Sequence, residues 1–138
     1  MKTIFVTVWI SLFIAISSFA QAIGNYAFTH CGGLTSITIG CGITTIGEHT
    51  FSLCSSLVSI AIPNTVTEIG DWAFDYCRGL NKIRIACSTP PEVGTDTFFD
   101  VETATCVLDV PTNSTGAYRK AKIWKEFLNI TEFAPNKN

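Results

Sequence analysis

Residues 46–68 read IGEHTFSLCSSLVSIAIPNTVTE, and the spacing of their apolar residues recurs directly before and after them. The opening Ile46-Gly47 and Phe51 return as Ile23-Gly24 and Phe28 and as Ile69-Gly70 and Phe74, 23 residues apart each time. The three copies share seven identical positions in the pattern I-G-x-x-x-F-x-x-C-x-x-L-x-x-I-x-I. One such unit cannot bury its own apolar stripe, but stacked units bury it against each other. The repeat therefore predicts a solenoid.

The spacing inside the unit predicts its local structure. Apolar residues three apart suit a tight bend or a turn of helix, whereas the closing I-x-I has the period of a strand. A period in the twenties with both spacings is typical of leucine-rich repeats. We expect three short parallel strands on the concave face of the solenoid, at Ser36 to Ile39, Ser59 to Ile62 and Lys82 to Ile85. The phenylalanines of the repeat would fill the core behind this sheet.

The repeat resembles the BspA-like leucine-rich repeat proteins of bacterial surfaces and some parasitic protists, whose pattern is close to I-G-x-x-A-F-x-x-C-x-x-L-x-x-I-x-I-P-x-x-V-T-x. The middle copy continues with Ile62-Pro63 and Val66-Thr67, as the family does. The first and third copies depart at Gly40-Cys41-Gly42 and Ala86-Cys87-Ser88. The resemblance covers residues 23–133. It implies an α/β-type repeat solenoid in a secreted or cell-surface protein that adheres to or recognises other proteins.

The first residues are typical of a secretory signal peptide. Lys2 precedes an apolar run from Ile4 to Ile16, and small residues follow. We expect cleavage after Ala20, with Ala22 as the alternative, so that residues 1–20 form the signal peptide. The run is shorter than the ~20 residues that a membrane-spanning helix needs, although an uncleaved anchor is the competing interpretation. No other stretch is apolar enough to span a bilayer.

The period breaks after Ile85, which predicts a different C-terminal end. Residues 21–89 would hold the three repeats, residues 90–133 a degenerate repeat with a cap, and residues 134–138 a tail. Phe98 stands one residue late for a fourth copy, and Leu108 to Pro111 suits a last strand. Ser114 or Thr115 can begin a helix, which we expect to cover the open core with its aromatic residues. The residues of this predicted capping helix are Tyr118, Ala121, Ile123, Trp124 and Phe127. A surface-binding amphipathic helix is the competing interpretation, because basic residues lie among the aromatic ones.

The repeat also accounts for the cysteines and histidines that could otherwise indicate a disulfide, a metal site or a catalytic site. Cys31, Cys54 and Cys77 share one core position, where a cysteine behaves as a small hydrophobic residue. No paired short spacing typical of structural zinc sites occurs, and both histidines fall at repeat positions that take bulky residues. We therefore expect no catalytic residue, no metal site and no cofactor, and a protein that is not an enzyme. Whether Cys41, Cys87 and Cys106 form a disulfide stays open.

Charge and topology point to protein partners. Without Lys2, eight of the nine basic residues remain against eleven acidic ones, which is the wrong sign for a general nucleic-acid binder. Solenoids bind through the exposed face of their sheet. The candidate binding face consists of Ser36, Thr38, Ser59, Ala61, Lys82, Arg84 and Asp109.

Two functions follow from this sequence. The first is a secreted or cell-surface module for adhesion or protein–protein interaction, with host extracellular-matrix and cell-surface proteins as candidate ligands. The second is a structural fragment of a larger repeat array without its own ligand, which self-associates through the N-terminal edge of its sheet. That edge would carry no cap, which is also what a truncated gene model would produce.

Overall fold

The computed structural model of the chain describes residues 11–14 and 21–135, and these form a parallel β-solenoid. Its six-stranded sheet, called sheet A, runs in the order β1, β3, β5, β7, β9, β10, and its four-stranded sheet, called sheet B, in the order β2, β4, β6, β8. The strands of sheet A are β1 Ser11–Ile14, β3 Ser36–Ile39, β5 Ser59–Ile62, β7 Lys82–Ile85, β9 Val107–Pro111 and β10 Asn129–Phe133. The strands of sheet B are β2 Gln21–Ile23, β4 Ile43–Ile46, β6 Glu68–Ile69 and β8 Glu92–Val93.

The three strands expected from the I-x-I motif are confirmed with the bounds that the sequence predicts. They pair in register, with Ser36 beside Ser59 and Ser59 beside Lys82, because each repeat has the same length. Sheet B was not predicted. Its strands are only two to four residues long, too short for an alternating pattern to stand out.

A ladder of stacked phenylalanines forms the centre of the core. The rings of Phe28, Phe51, Phe74 and Phe98 lie 5.4, 5.3 and 5.5 Å apart and within 14° of parallel. The expected core role of the phenylalanines is confirmed, and Phe98 takes its place in the ladder although it comes one residue late. The degenerate repeat is therefore a full turn of the solenoid.

Repeated left-handed backbone positions turn the chain within each coil. Two residues per coil have positive φ, between 49° and 60°: Tyr26, His30, His49, Leu53, Trp72, Tyr76, Asp96 and Asp100. The glycine of the repeat serves a different purpose, since a Cβ on Gly70 would lie 2.7 Å from the backbone nitrogen of Glu48 in the preceding coil. A side chain there would push neighbouring coils apart.

The C-terminal helix is shorter than predicted. Helix α1 spans Thr115–Lys120, and a 3-10 helix spans Trp124–Glu126. The helix ends because Ala121 is extended and Ile123 has a φ of 69°, which no right-handed helix tolerates. The described residues are mostly strand and turn with this one short α-helix, so the α/β class and a capping helix are not confirmed.

The aromatic residues of this segment nevertheless lie over the end of the core. Tyr118, Trp124 and Phe127 are buried. The Phe98 ring packs against Trp124 and Phe127 at 5.4 and 5.1 Å. Trp124 donates its indole N–H to the Pro91 carbonyl at 2.9 Å, and the Tyr118 hydroxyl donates to the Cys87 carbonyl at 2.7 Å. These bonds fix the segment to the residues around Pro90-Pro91.

Strand β10 follows this segment and was also not predicted. It pairs in parallel with β9, with Thr131 beside Asp109 and Phe133 beside Pro111. The helix is joined to it through Glu132, whose carboxylate accepts hydrogen bonds from the backbone N–H and the hydroxyl of Thr115 at 3.2 and 2.7 Å. Ser114 makes no side-chain capping bond. The acceptor at the start of the helix therefore comes from β10.

Strand β1 lies within the expected signal peptide. Ser11–Ile14 pairs with Ser36–Ile39 of β3, whereas the other residues of the 1–20 segment lie outside the described ones, as do residues 136–138 of the tail. Cleavage after Ala20 stays a prediction. It would remove β1 and make β3 the outer strand of sheet A.

Candidate functional site

The structure places the predicted binding residues on one face of sheet A, in two rows that cross the strands. Ser36, Ser59 and Lys82 form one row, and Thr38, Ala61, Arg84 and Asp109 form the next. Thr38, Lys82 and Arg84 are exposed, and Ser36, Ser59 and Ala61 are half-buried. The period of two along each strand explains why the sequence could group them.

Asp109 belongs to the row but is not an accessible contact residue. Only 7% of it is exposed, because β10 lies beside β9 and brings Thr131 against it. The Thr131 hydroxyl donates a hydrogen bond of 2.8 Å to Oδ1 of Asp109. Oδ2 of the same carboxylate lies 3.9 Å from Nε of Arg84. Asp109 therefore positions Arg84 and presents little of its own surface to a ligand.

Arg84 is held from two sides. Its guanidinium carbon lies 4.0 Å from the centre of the Phe133 ring, a cation–π distance, while Asp109 provides the opposite charge. About half of the Arg84 side chain, 49%, is still exposed. The contact with Phe133 could not be read from the sequence, because it depends on β10, whereas Asp109 is the register partner of Arg84 across β7 and β9.

A shallow hollow of about 230 Å³ lies beside Arg84 on this face. Thr38 and Ala61 are small enough to leave the space open, and Arg84 and Phe133 stand as its walls. Its lining residues are Thr38, Ile39, Ala61, Ile62, Pro63, Arg84, Ala86 and Phe133. The sequence prediction included three of them, Thr38, Ala61 and Arg84. Pro63 and Ala86 were missed although they continue the period of two past the predicted strand ends.

The exposed charged residues along sheet B are acidic, whereas those of the candidate binding face on sheet A are basic. A groove of about 380 Å³ along it is lined in part by the exposed residues Glu48, Glu68, Asp71 and Glu92. Glu68 and Glu92 are register partners on neighbouring strands. Sheet A, in contrast, exposes Lys82 and Arg84. Among the described residues no group of His, Cys, Asp or Glu side chains is arranged to hold a metal ion.

A second aromatic ladder runs along the turns. His49 stacks between Tyr26 and Trp72, with ring centres 4.9 and 6.0 Å away, which confirms that the three residues share one repeat position. Nδ1 of His49 lies 3.8 Å from Oδ1 of the buried Asp75. Phe99 extends the ladder against Trp72 at 5.8 Å. His49 is therefore engaged by ring and carboxylate neighbours within the repeat.

The cysteine thiols occupy the positions that the repeat assigns to them. All six cysteines, each within the described residues, are present as thiols; Cys54 and Cys77 are buried, Cys31 is half-buried and Cys41 is exposed. Cys54 and Cys77 donate to the carbonyls of Phe28 and Phe51 in the preceding coil, both at 3.1 Å.

Burial disfavours the thiolate in these positions. Desolvation raises the pKa of Cys54 to about 12 and that of Cys87 and Cys106 to about 11. It raises the pKa of Cys77 further still. A catalytic cysteine needs the opposite environment, one that lowers the thiol pKa. These four thiols are therefore core residues, and those of Cys54, Cys77 and Cys87 donate hydrogen bonds to the preceding coil.

The geometry of the coils agrees with a family comparison. A family model described as "BspA type Leucine rich repeat region (6 copies)" matches residues 12–120. The chain belongs to this family. The match runs from β1 to the end of α1, so it begins before residue 23, where the three clear repeats start. No curated protein sequence matches the chain.

Membership gives the functional class at a coarse level. Leucine-rich repeats of this type are protein-interaction modules that typically carry no enzyme activity, and they are typical of surface or secreted proteins. No helix among the described residues is both long and apolar enough to cross a membrane.

Proposed function

We propose that this BspA-type chain is a secreted or cell-surface adhesion module that binds a protein partner through the exposed face of sheet A. The observation that carries the proposal is the position of Arg84. It stands between Asp109 and the Phe133 ring at the wall of a hollow in an otherwise regular sheet.

An arginine held in this way suits an interface. Part of the cost of binding is the entropy lost when long side chains are ordered, and Arg84 is already oriented by two neighbours. Arginine is also enriched among the residues that dominate interface energies. The hollow beside it offers apolar surface that a partner can bury.

Secretion is supported by two features. The charged start, apolar run and small residues of segment 1–20 have the composition of a signal peptide, and the family is typical of surface or secreted proteins. Extracellular-matrix and cell-surface proteins of a host are therefore the partners to test first.

The test is a pull-down with the chain as secreted by its expressing cell. We expect it to retain a protein from matrix or cell-surface extracts, and the double change Lys82→Glu with Arg84→Glu to abolish that binding. The matched control is Arg119→Glu with Lys122→Glu, which alters net charge equally at two exposed positions of the C-terminal segment. Two results would contradict the sheet A site: binding that persists after the changes at Lys82 and Arg84, or binding that the control changes at Arg119 and Lys122 reduce equally.

Self-association is the second candidate, since among the described residues β2 is an outer strand of sheet B, and β3 becomes an outer strand of sheet A once cleavage removes β1. An outer strand leaves backbone groups that another chain can pair with. Sedimentation velocity at rising concentration tests it: a growing dimer fraction supports the proposal, and a constant monomer contradicts it.

A further inference from the structure

We infer that the partner presents to sheet A an extended segment with a carboxylate side chain next to an apolar one. The carboxylate would pair with Arg84, and the apolar side chain would occupy the hollow beside Ala61 and Phe133. This inference rests on the proposed function and specifies the chemistry of the ligand.

The guanidinium of Arg84 keeps its donors available. Asp109 is 3.9 Å from Nε, which is beyond hydrogen-bonding distance, so it orients the group without occupying an N–H. The Phe133 ring lies against the guanidinium as a cation–π neighbour, with 4.0 Å between the ring centre and the guanidinium carbon. Among the described residues the guanidinium donates no hydrogen bond. A planar fork of donors matches a carboxylate in two parallel bonds.

The charge balance of the face also favours an acidic ligand. Asp109 offsets part of the Arg84 charge, but its carboxylate is buried and shared with the Thr131 hydroxyl. Lys82 lies two residues before Arg84, so it is on the same face of β7, and it is exposed. The accessible charge of this face is therefore positive. Two cations are few for a nucleic acid, whose binding relies on neutralising many phosphates.

The carboxylate should come from a side chain in the middle of a segment. Chain termini are captured by clusters of unpaired backbone N–H groups, whereas the backbone here is engaged in the parallel ladders of β3, β5 and β7. The hollow also extends over all three strands, so a continuous segment can cross it. Its apolar lining of Ala61, Ile62, Pro63 and Ala86 needs an apolar residue beside the acidic one.

The experiment selects peptides from a random hexapeptide library, acetylated and amidated so that no terminal carboxylate is present, on the immobilised chain in its secreted form. We expect enrichment of sequences with one Asp or Glu next to Leu, Ile, Val or Phe. For the best peptide, Arg84→Gln should weaken binding about tenfold or more, the scale of a hydrogen bond to a charged group. Replacing the acidic residue of the peptide by its amide should weaken it equally.

A second variant tests the hollow without changing Arg84. Ala61→Phe fills the space while the strand pattern is kept, and it should weaken the same peptide with little change in melting temperature. Arg119→Gln is the matched control and should leave affinity unchanged. Selected peptides without acidic residues, no selected peptide at all, or affinity insensitive to Arg84→Gln would overturn the inference. The pull-down distinguishes failure of this inference from failure of the proposed function. If the chain still retains a protein there, and the double change Lys82→Glu with Arg84→Glu abolishes that binding, the proposed function stands.

Discussion

The guanidinium of Arg84 rests on the ring of Phe133, with 4.0 Å between the guanidinium carbon and the ring centre. Arg84 belongs to the last clear repeat, and Phe133 belongs to strand β10. The C-terminal segment thus completes the candidate binding face as well as covering the end of the core.

Replacing Phe133 by Ala should weaken partner binding while the fold is kept. Phe133 is half-buried at the end of β10, so its loss frees Arg84 to sample more rotamers and opens one wall of the hollow. We expect a decrease in affinity of about threefold to tenfold, corresponding to about 1 kcal/mol for an exposed cation–π contact. Surface plasmon resonance against the captured partner measures it. Leu128→Ala, at a residue 66% exposed, is the control, and equal losses in the two variants would argue against the specific contact.

Replacing Phe74 by Ala should destabilise the solenoid strongly. Its ring is fully buried between Phe51 and Phe98, so the change leaves a cavity inside the ladder. We expect a loss of about 3–5 kcal/mol in the free energy of unfolding, measured by urea denaturation. Tyr26→Ala, at the 52% exposed end of the other ladder, should cost much less. Similar costs for both would contradict a core centred on the phenylalanines.

Alkylation should distinguish the exposed thiol from the four buried ones. Cys41 is exposed, whereas Cys54, Cys77, Cys87 and Cys106 are buried with raised pKa values. Because the thiolate is the reacting form, iodoacetamide should modify Cys41 first and leave those four unmodified until the chain unfolds. Peptide mass spectrometry identifies the sites, with a sample in guanidinium chloride as the fully reactive control. Early modification of Cys77 would contradict its placement.

The same thiols should make stability fall at alkaline pH. Their folded-state pKa values lie above the ordinary value of 9.0, near 12 for Cys54 and 11 for Cys87 and Cys106, because burial disfavours the charged form. Below pH 9 the thiols are protonated in both the folded and the unfolded chain, so the free energy of unfolding does not change with pH. Above pH 9 the thiols of the unfolded chain ionise first, which favours unfolding. Burial also raises the pKa of Tyr118, which acts in the same direction.

Denaturation midpoints measured from pH 7 to 11 should therefore decline only above pH 9. Cys87→Ala should reduce the slope of that decline, since it removes one of the linked groups, while Cys41→Ala should leave it unchanged. A flat profile to pH 11 would show that these thiols are not buried.

The repeat predicted the recurring strands of sheet A, but it missed the short recurring strands of sheet B and strand β10, which does not recur. Strand β7 and the phenylalanine ladder follow from identical spacing in stacked units. Strand β10, Asn129–Phe133, follows an irregular segment and does not belong to the 23-residue repeat. Its pairing with β9 is set by contacts such as that of Thr131 with Asp109 rather than by repeat spacing. The prediction therefore included Arg84 but could not include Phe133, and it counted Asp109 as accessible.

The central claim is that a protein partner lies on sheet A, and site-specific photo-crosslinking tests it most directly. A photoreactive amino acid is placed at Ala61 in the hollow or at Glu68 on sheet B, and each protein is irradiated with the captured partner. We predict a covalent adduct from position 61 that Arg84→Gln diminishes, and none from position 68. An adduct from position 68 alone would contradict the account.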